Sequence, residues 1–221
     1  MRHRMFWVAG ACGVHALVLA GCALSAAQVP PPLVDAAPGA KGQNAVAVLA
    51  GGCFWGVEAV FLRVRGVTGV TSGYAGGSRE DANYETVSSG RTGHAESVRI
   101  VYDPSVVSYG KLLQVFFAVV HDPTQVNRQG PDWGTQYRSA IFYGSEEQKR
   151  VAEAYIQQLN GAKVFGRTVA TKVTALDAFY PAEEYHQNFI ERHPDNSYVI
   201  YNDLPKLEQF HKKFPELEAH R

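Results

Sequence analysis

Cysteine is scarce in this chain, with three among 221 residues. Cys12 and Cys22 fall in an N-terminal segment read below as a leader, which leaves Cys53 as the single thiol of the remaining chain. That arithmetic excludes an internal disulfide and with it the disulfide-framework class. Net charge is missing too: 21 basic and 21 acidic side chains cancel, with no Lys/Arg-rich run and no blocky acidic tail. The electrostatic argument for nucleic acid or a bulk anionic membrane as partner falls away. His94, His121, His186 and His193 show no metal-ligand spacing with the single thiol, so no metal site is expected. No internal repeat or second linker divides the chain after residue 44. What is present, 46% hydrophobic and 19% charged residues, suits a globular domain.

The first 22 residues stand apart. Arg2, His3 and Arg4 precede a mostly apolar stretch from Met5 to Ala20, closed by Leu19-Ala20-Gly21-Cys22. Small residues leading into a cysteine look like a bacterial lipoprotein signal, with cleavage before Cys22 and lipid on that cysteine. Ordinary secretory cleavage after Ala27 is the alternative. The run is short for a retained transmembrane anchor and contains His15. Export to the periplasm or cell envelope is therefore expected, with membrane contact only through the lipid. Residues 23–44, rich in Ala, Pro and Gly, read as a tether. Residues 45–221 form the expected catalytic domain.

Within that domain the elements alternate. Strands are expected at Ala45 to Leu49, Val67 to Ser72, Ala95 to Tyr102, Gln136 to Tyr143 and Thr168 to Leu176. Helices are expected from Cys53 to Val64, from a Ser108 cap to Val120, and from a Ser145 cap, with Gln148 placed for a capping box, to Gly161. Pro181 is expected to open a helix to Arg192, and Leu204 to Phe214 to form a last one. The Gly-rich stretch from Gly73 to Gly93 is too long to be structureless by accident. Strands interleaved with helices, several joined by long connections, indicate an α+β two-layer sandwich.

Chemistry concentrates at Cys53. An apolar run ends in Gly51-Gly52, and a helical pattern begins at the thiol, with Phe54, Val57, Phe61 and Val64 on one face. The first turn of a helix offers unpaired N–H groups and the positive end of its dipole, both favouring thiolate. The plain alternative is a small buried core residue. Alternation along Ala95 to Tyr102 puts Glu96 on the face of Val98, Ile100 and Tyr102, where desolvation would raise its pKa and suit it as a general acid. A solvent-side glutamate at a strand end is the alternative. Tyr84 and Tyr137 are candidate hydroxyl donors or plain core aromatics. Phe54 and Trp55 are candidate walls of an apolar cage, and Phe54 also fits the core stripe. His186 is a candidate base for a Cys–His hydrolase oriented by Asp132, or a structural histidine. A thiol redox sensor or lipoprotein binding module is the non-enzymatic reading.

Six segments, in order, resemble the A-type peptide methionine sulfoxide reductases. They are Gly52-Cys53-Phe54-Trp55-Gly56, Gly73-Tyr74-Ala75-Gly76-Gly77, Thr92-Gly93-His94-Ala95-Glu96, Val101-Tyr102-Asp103-Pro104, Asp132-Trp133-Gly134-Thr135-Gln136-Tyr137-Arg138, and Phe179-Tyr180-Pro181-Ala182-Glu183-Glu184-Tyr185-His186-Gln187. The resemblance implies a ferredoxin-like core, a mixed sheet with helices packed on it. It implies that Cys53 attacks the sulfoxide sulfur of oxidised methionine, in proteins or as the free amino acid, and becomes a sulfenic acid. Glu96 would protonate the oxygen, with Tyr84 and Tyr137 hydrogen-bonded to it. Phe54 and Trp55 would hold the methyl group, with Asp132 and His186 completing the substrate pocket. The S epimer at sulfur is implied, with no metal or organic cofactor. A thioredoxin-, glutaredoxin- or glutathione-type thiol would act as reductant. One departure stands out: Arg192 to Asp203, where many relatives carry resolving cysteines, has none. Recycling by an external thiol, in a monomer, is expected.

Overall fold

The computed structural model describes residues 28–40 and 42–219. In chain order come β1 (Ala45–Gly51), α1 (Phe54–Leu62), β2 (Val67–Ala75), α2 (Tyr84–Ser88) and β3 (Ala95–Tyr102). Next are α3 (Tyr109–Val115), continued by a π turn over Phe116–Val120, then the short β4 (Arg128–Gln129), β5 (Asp132–Trp133), and β6 (Ser139–Tyr143). The chain ends with α4 (Glu146–Gly161), β7 (Lys172–Ala175), β8 (Phe179–Pro181), α5 (Phe189–Arg192) and, after a π turn over Val199–Asp203, α6 (Leu204–Lys213).

Six strands form one sheet in the order β7-β6-β1-β3-β2-β8, while β4 and β5 pair separately. Every pairing in the large sheet is antiparallel except that of β6 with β7. The unit β1-α1-β2-β3-α3-β6, with central order β6-β1-β3-β2, is the split βαβ arrangement of ferredoxin-like folds. It matches the expected α+β two-layer class. Alternation sorts the strand side chains: Ala47, Leu49, Val98, Ile100 and Ile141 join the core under the helices, against Phe54, Phe61, Leu112, Phe116 and Tyr155. The opposite face carries a smaller cluster of Val48, Ala50, Ala75, Ala95, Ala140 and Phe142. Phe54, Val57, Phe61 and Val64 are all buried, as their spacing predicts. Each large apolar side chain withdrawn from water contributes about 1.5–3 kcal/mol.

Local chemistry explains both the agreements and the departures. Ser108 and Ser145 accept from the Lys111 and Gln148 amides, 3.1 and 3.2 Å away, as cap residues should. Gln148 does not close a reciprocal box. Its Oε1 accepts from Gly144 N and its Nε2 donates to Val46 O, tying α4 to β1. The strand expected from Gln136 begins only at Ser139, because Thr135–Tyr137 coils into a 3₁₀ turn. Pro181 closes an edge strand instead of opening a helix, a position where its missing N–H leaves no ladder bond unmade. The expected 181–192 helix reduces to a 3₁₀ turn at Glu184–His186 and the brief α5.

Residues 28–40, read above as part of a tether, lie against the domain. Asp35 accepts from the Ser108 hydroxyl and the Gly110 amide, at 2.5 and 2.7 Å. Tyr155 donates to Pro30 O, Gln158 to Pro31 O and Gln114 to Val29 O, while Val29 is buried. Proline frees its carbonyl for such contacts and stiffens the strand that presents it. Cys22 and the leader segment 1–22 lie outside the described residues.

Candidate active site

β1 runs through the middle of the sheet and delivers the chain to the turn that bears Cys53. Gly52 adopts φ +92°, and a β-carbon there would sit 2.6 Å from Gln129 Cγ, so both backbone and space call for glycine. Cys53 is the N-cap residue of α1, which begins at Phe54, one position after the expected start, and is 8% exposed. The Leu49–Val98 pair sets the register that brings Glu96, at the start of β3, level with this turn. Glu96 Oε2 accepts from Phe54 N at 3.1 Å. The first amide of α1 thus fixes the carboxyl beside the thiol.

Burial then controls the charges. Glu96 is 2% exposed, and desolvation lifts its pKa to about 8 against the pull of the Phe54 amide, with Asp132 pushing it further up. At neutral pH it is mainly a carboxylic acid, as expected. Cys53 behaves differently from its sequence expectation. Desolvation raises the thiol well above its ordinary value, and Glu96 and Asp203 add to that, outweighing the Trp55 amide and Lys206, which favour thiolate. The helix N-terminus contributes in the expected direction, but in a dry site beside carboxyl groups it is the smaller effect. The resting site therefore holds a thiol and an acid, both uncharged.

Around them lies a cavity of about 180 Å³, lined by Cys53, Phe54, Trp55, Tyr84, Glu96, Asp132, Tyr137 and Tyr198. Tyr84 opens α2, where its amide donates to Glu183 Oε1 at 2.8 Å. Tyr137 ends the 3₁₀ turn, whose Thr135 and Gln136 side chains donate to Gly90 O and Ser88 O at the other end of α2. Arg138 donates to the carbonyls of Gly93, His94 and Thr135. The segments bearing both tyrosines and Glu96 are thereby laced together. Desolvation raises both tyrosine pKa values, Glu96 reinforcing it, so the hydroxyls remain protonated donors. Trp55 stacks on Phe189 with ring centroids 3.7 Å apart, which fixes its indole as a wall.

His186 stands behind this wall. Its Nδ1 accepts from Trp55 Nε1 at 3.1 Å, and its ring packs on Phe54 and Tyr84, but it does not line the cavity. Burial lowers its pKa. It is placed to hold Trp55, and the Cys–His–Asp arrangement is not assembled: Asp132 instead accepts from Tyr198 OH at 2.5 Å. His94 and His121 are held by Ser78 O and by Ser139 with Phe116 O. No group of His, Cys, Asp and Glu with metal-holding geometry occurs among the described residues.

Two participants escaped the sequence reading. Tyr198 lines the cavity, yet its segment carries no periodicity and drew notice only for lacking cysteine. Glu183 was part of a quoted motif, but nothing in one sequence reveals that it receives both the Tyr84 amide and the Tyr74 hydroxyl.

Comparison with known proteins agrees with this geometry. Residues 45–218 match the family model described as peptide methionine sulfoxide reductase. Peptide methionine sulfoxide reductase MsrA 2 of Synechocystis is 56% identical over 85% of this chain and 89% of its own. Its namesake in Mesorhizobium japonicum is 53% identical over 84% and 93%. Methionine sulfoxide reductase A of Corynebacterium diphtheriae, a solved structure, superposes with a TM-score of 0.60 at 35% identity, covering 76% of this chain and 85% of that one. Reduced Mxr1 from Saccharomyces cerevisiae gives 0.63 at 34% identity, covering 70% and 88%.

Proposed function

The chain belongs to the A-type peptide methionine sulfoxide reductases, and from that premise we propose how its own residues carry out the reduction of methionine sulfoxide. The oxidised side chain enters the 180 Å³ cavity with its methyl group against Phe54 and Trp55. Its sulfoxide oxygen meets Glu96 and the hydroxyls of Tyr84 and Tyr137, while Asp132 shapes the remaining wall through Tyr198. Cys53 sulfur bonds to the substrate sulfur as Glu96 gives its proton to the oxygen, and the thiol proton passes to Glu96. The S–O bond of the substrate and the new sulfur–sulfur bond then break as the oxygen passes to Cys53, which is left as a sulfenic acid while methionine departs. Methionine gains two electrons and the cysteine loses them. Neutralising charge on the oxygen is the barrier-lowering step, because an unprotonated oxide is a poor leaving group. The observation that carries this reading is the Phe54 N–Glu96 hydrogen bond. It fixes an uncharged acid beside the thiol on one cavity.

The substrate is the S epimer, in proteins or as free methionine sulfoxide. Residues 45–221 contain no second cysteine, so an external thiol of thioredoxin, glutaredoxin or glutathione type returns Cys53 to the thiol. The enzyme is exported and lipid-anchored through Cys22, with residues 1–22 as its signal. Since residues 28–40 lie on the domain, residues 23–27 alone would separate it from the lipid, a reach of at most ~17 Å. It acts beside the membrane as a monomer.

Mixing processed enzyme with excess methionine sulfoxide peptide and no reductant tests the mechanism. One methionine per protein is expected, with a dimedone-reactive Cys53 and none from Cys53→Ser. An intramolecular disulfide in the oxidised protein, or turnover by Cys53→Ser, would overturn it.

A further inference from the structure

Cys53 faces a second opening. A cleft of about 70 Å³ has Cys53 in its lining together with Gln129, Gly130, Pro131, Asp132, Tyr198, Asn202 and Lys206. Asp132 and Tyr198, hydrogen-bonded to each other, line both spaces. The cleft walls are braced: Gln129 exchanges hydrogen bonds with the Asp122 backbone, Asn202 donates to Tyr198 O, and Lys206 pairs with Asp203 at 3.0 Å.

We propose that the thiol reductant reaches oxidised Cys53 through this second cleft, inserting one cysteinyl side chain, and does not use the methionine pocket. The inference rests on the sulfenic acid mechanism above. Displacement at a divalent sulfur is in line: the incoming sulfur approaches opposite the oxygen that leaves. The oxygen lies in the first cavity among Glu96, Tyr84 and Tyr137, so the open approach is from the side of Gln129 and Asn202. A volume of about 70 Å³ suits a CH2–SH group and keeps the donor's body outside. Lys206 is the cation on this wall and favours the donor in its thiolate form. The donor sulfur bonds to Cys53 sulfur and the S–O bond breaks. The sulfenic hydroxyl departs as water by taking one proton from Glu96, and the proton the donor thiol gave up restores that acid. A second donor thiol then attacks the mixed disulfide, releasing oxidised donor and a Cys53 thiolate that recovers its proton.

Filling the cleft separates the two half-reactions. Asn202→Trp and, separately, Pro131→Trp are mixed with one equivalent of methionine sulfoxide peptide, and methionine release is timed by rapid quench. Glutathione is then added and loss of the sulfenic acid is followed by dimedone trapping. Methionine release within twofold of wild type and sulfenic acid reduction slowed tenfold or more are expected. Sulfenic acid reduction at the wild-type rate in a folded variant, or equal slowing of both phases, would overturn the route. Methionine release reports the attack of Cys53 on the sulfoxide, so a failure there counts against the mechanism, separately from the route. Two variants at separate lining positions guard against one misfolding.

Discussion

Glu96 carries the most specific expectations at the scale of single residues. With a pKa near 8 it is a carboxylic acid below that pH and a carboxylate above it, so the proposed proton donor is present only on the acid side. Activity should therefore fall on the alkaline side of about pH 8. Glu96→Gln keeps the shape and loses the acid, so reduction should slow by roughly two to four orders of magnitude and the alkaline limb should vanish from the kcat/KM profile. His186→Ala, which removes the partner of Trp55 and a ring packed behind Phe54 and Tyr84 but no group lining the cavity, should do much less. A histidine variant more damaging than the glutamine one would redirect the assignment to His186. The same residue bears on stability. Its folded pKa of about 8 exceeds the ordinary carboxylate value of 4.5, so the folded state binds the extra proton. Stability contributed by its acid form is full below pH 4.5 and is lost as pH rises through 8. Glu96→Gln should accordingly melt several degrees above wild type at pH 9 and close to it at pH 5, measured by calorimetry.

At the scale of elements, the turn between β1 and α1 is the part on which the chemistry depends. Gly52 combines a positive φ with the close approach of Gln129. Gly52→Ala should cost about 1–3 kcal/mol in urea unfolding. It should also lower kcat/KM, because Cys53 and the Phe54 amide that holds Glu96 follow directly in the chain. A variant of unchanged stability and activity would show that the turn relaxes freely. The second lesson lies in the pairing of α2 with the 3₁₀ turn at Thr135–Tyr137. Neither element supplies a core stripe, yet together they place two phenolic hydroxyls at the cavity. Periodicity misses such elements because polar side-chain bonds to backbone carbonyls, not burial of an apolar face, define them.

For the whole molecule, the segment before β1 should contribute to stability. A chain beginning at Ala45 loses the Asp35 contacts to Ser108 and Gly110 and the carbonyl acceptors of Gln114, Tyr155 and Gln158. At about 0.5–1.5 kcal/mol for each hydrogen bond, thermal denaturation should show a clear fall in Tm with kcat nearly unchanged, since these contacts lie away from the Cys53 cavity. An unaltered Tm would restore the tether reading for residues 28–40. Composition alone favoured that reading: proline and alanine offer no periodicity, and docking through their backbone carbonyls leaves no mark in side-chain pattern. The sequence by itself determined the α+β class, the burial of Phe54, Val57, Phe61 and Val64, the face of Glu96 and the presence of a single thiol in residues 45–221, because spacing, capping chemistry and cysteine count are read directly from the chain. Only the tertiary structure decided that Cys53 rests as a thiol, that Tyr198 joins the cavity while His186 stands behind it, and that Cys53 lines two openings. Those outcomes depend on desolvation and on contacts between residues such as Phe54 and Glu96 or Asp132 and Tyr198, which lie far apart in the chain and meet only when the sheet and its loops close around them.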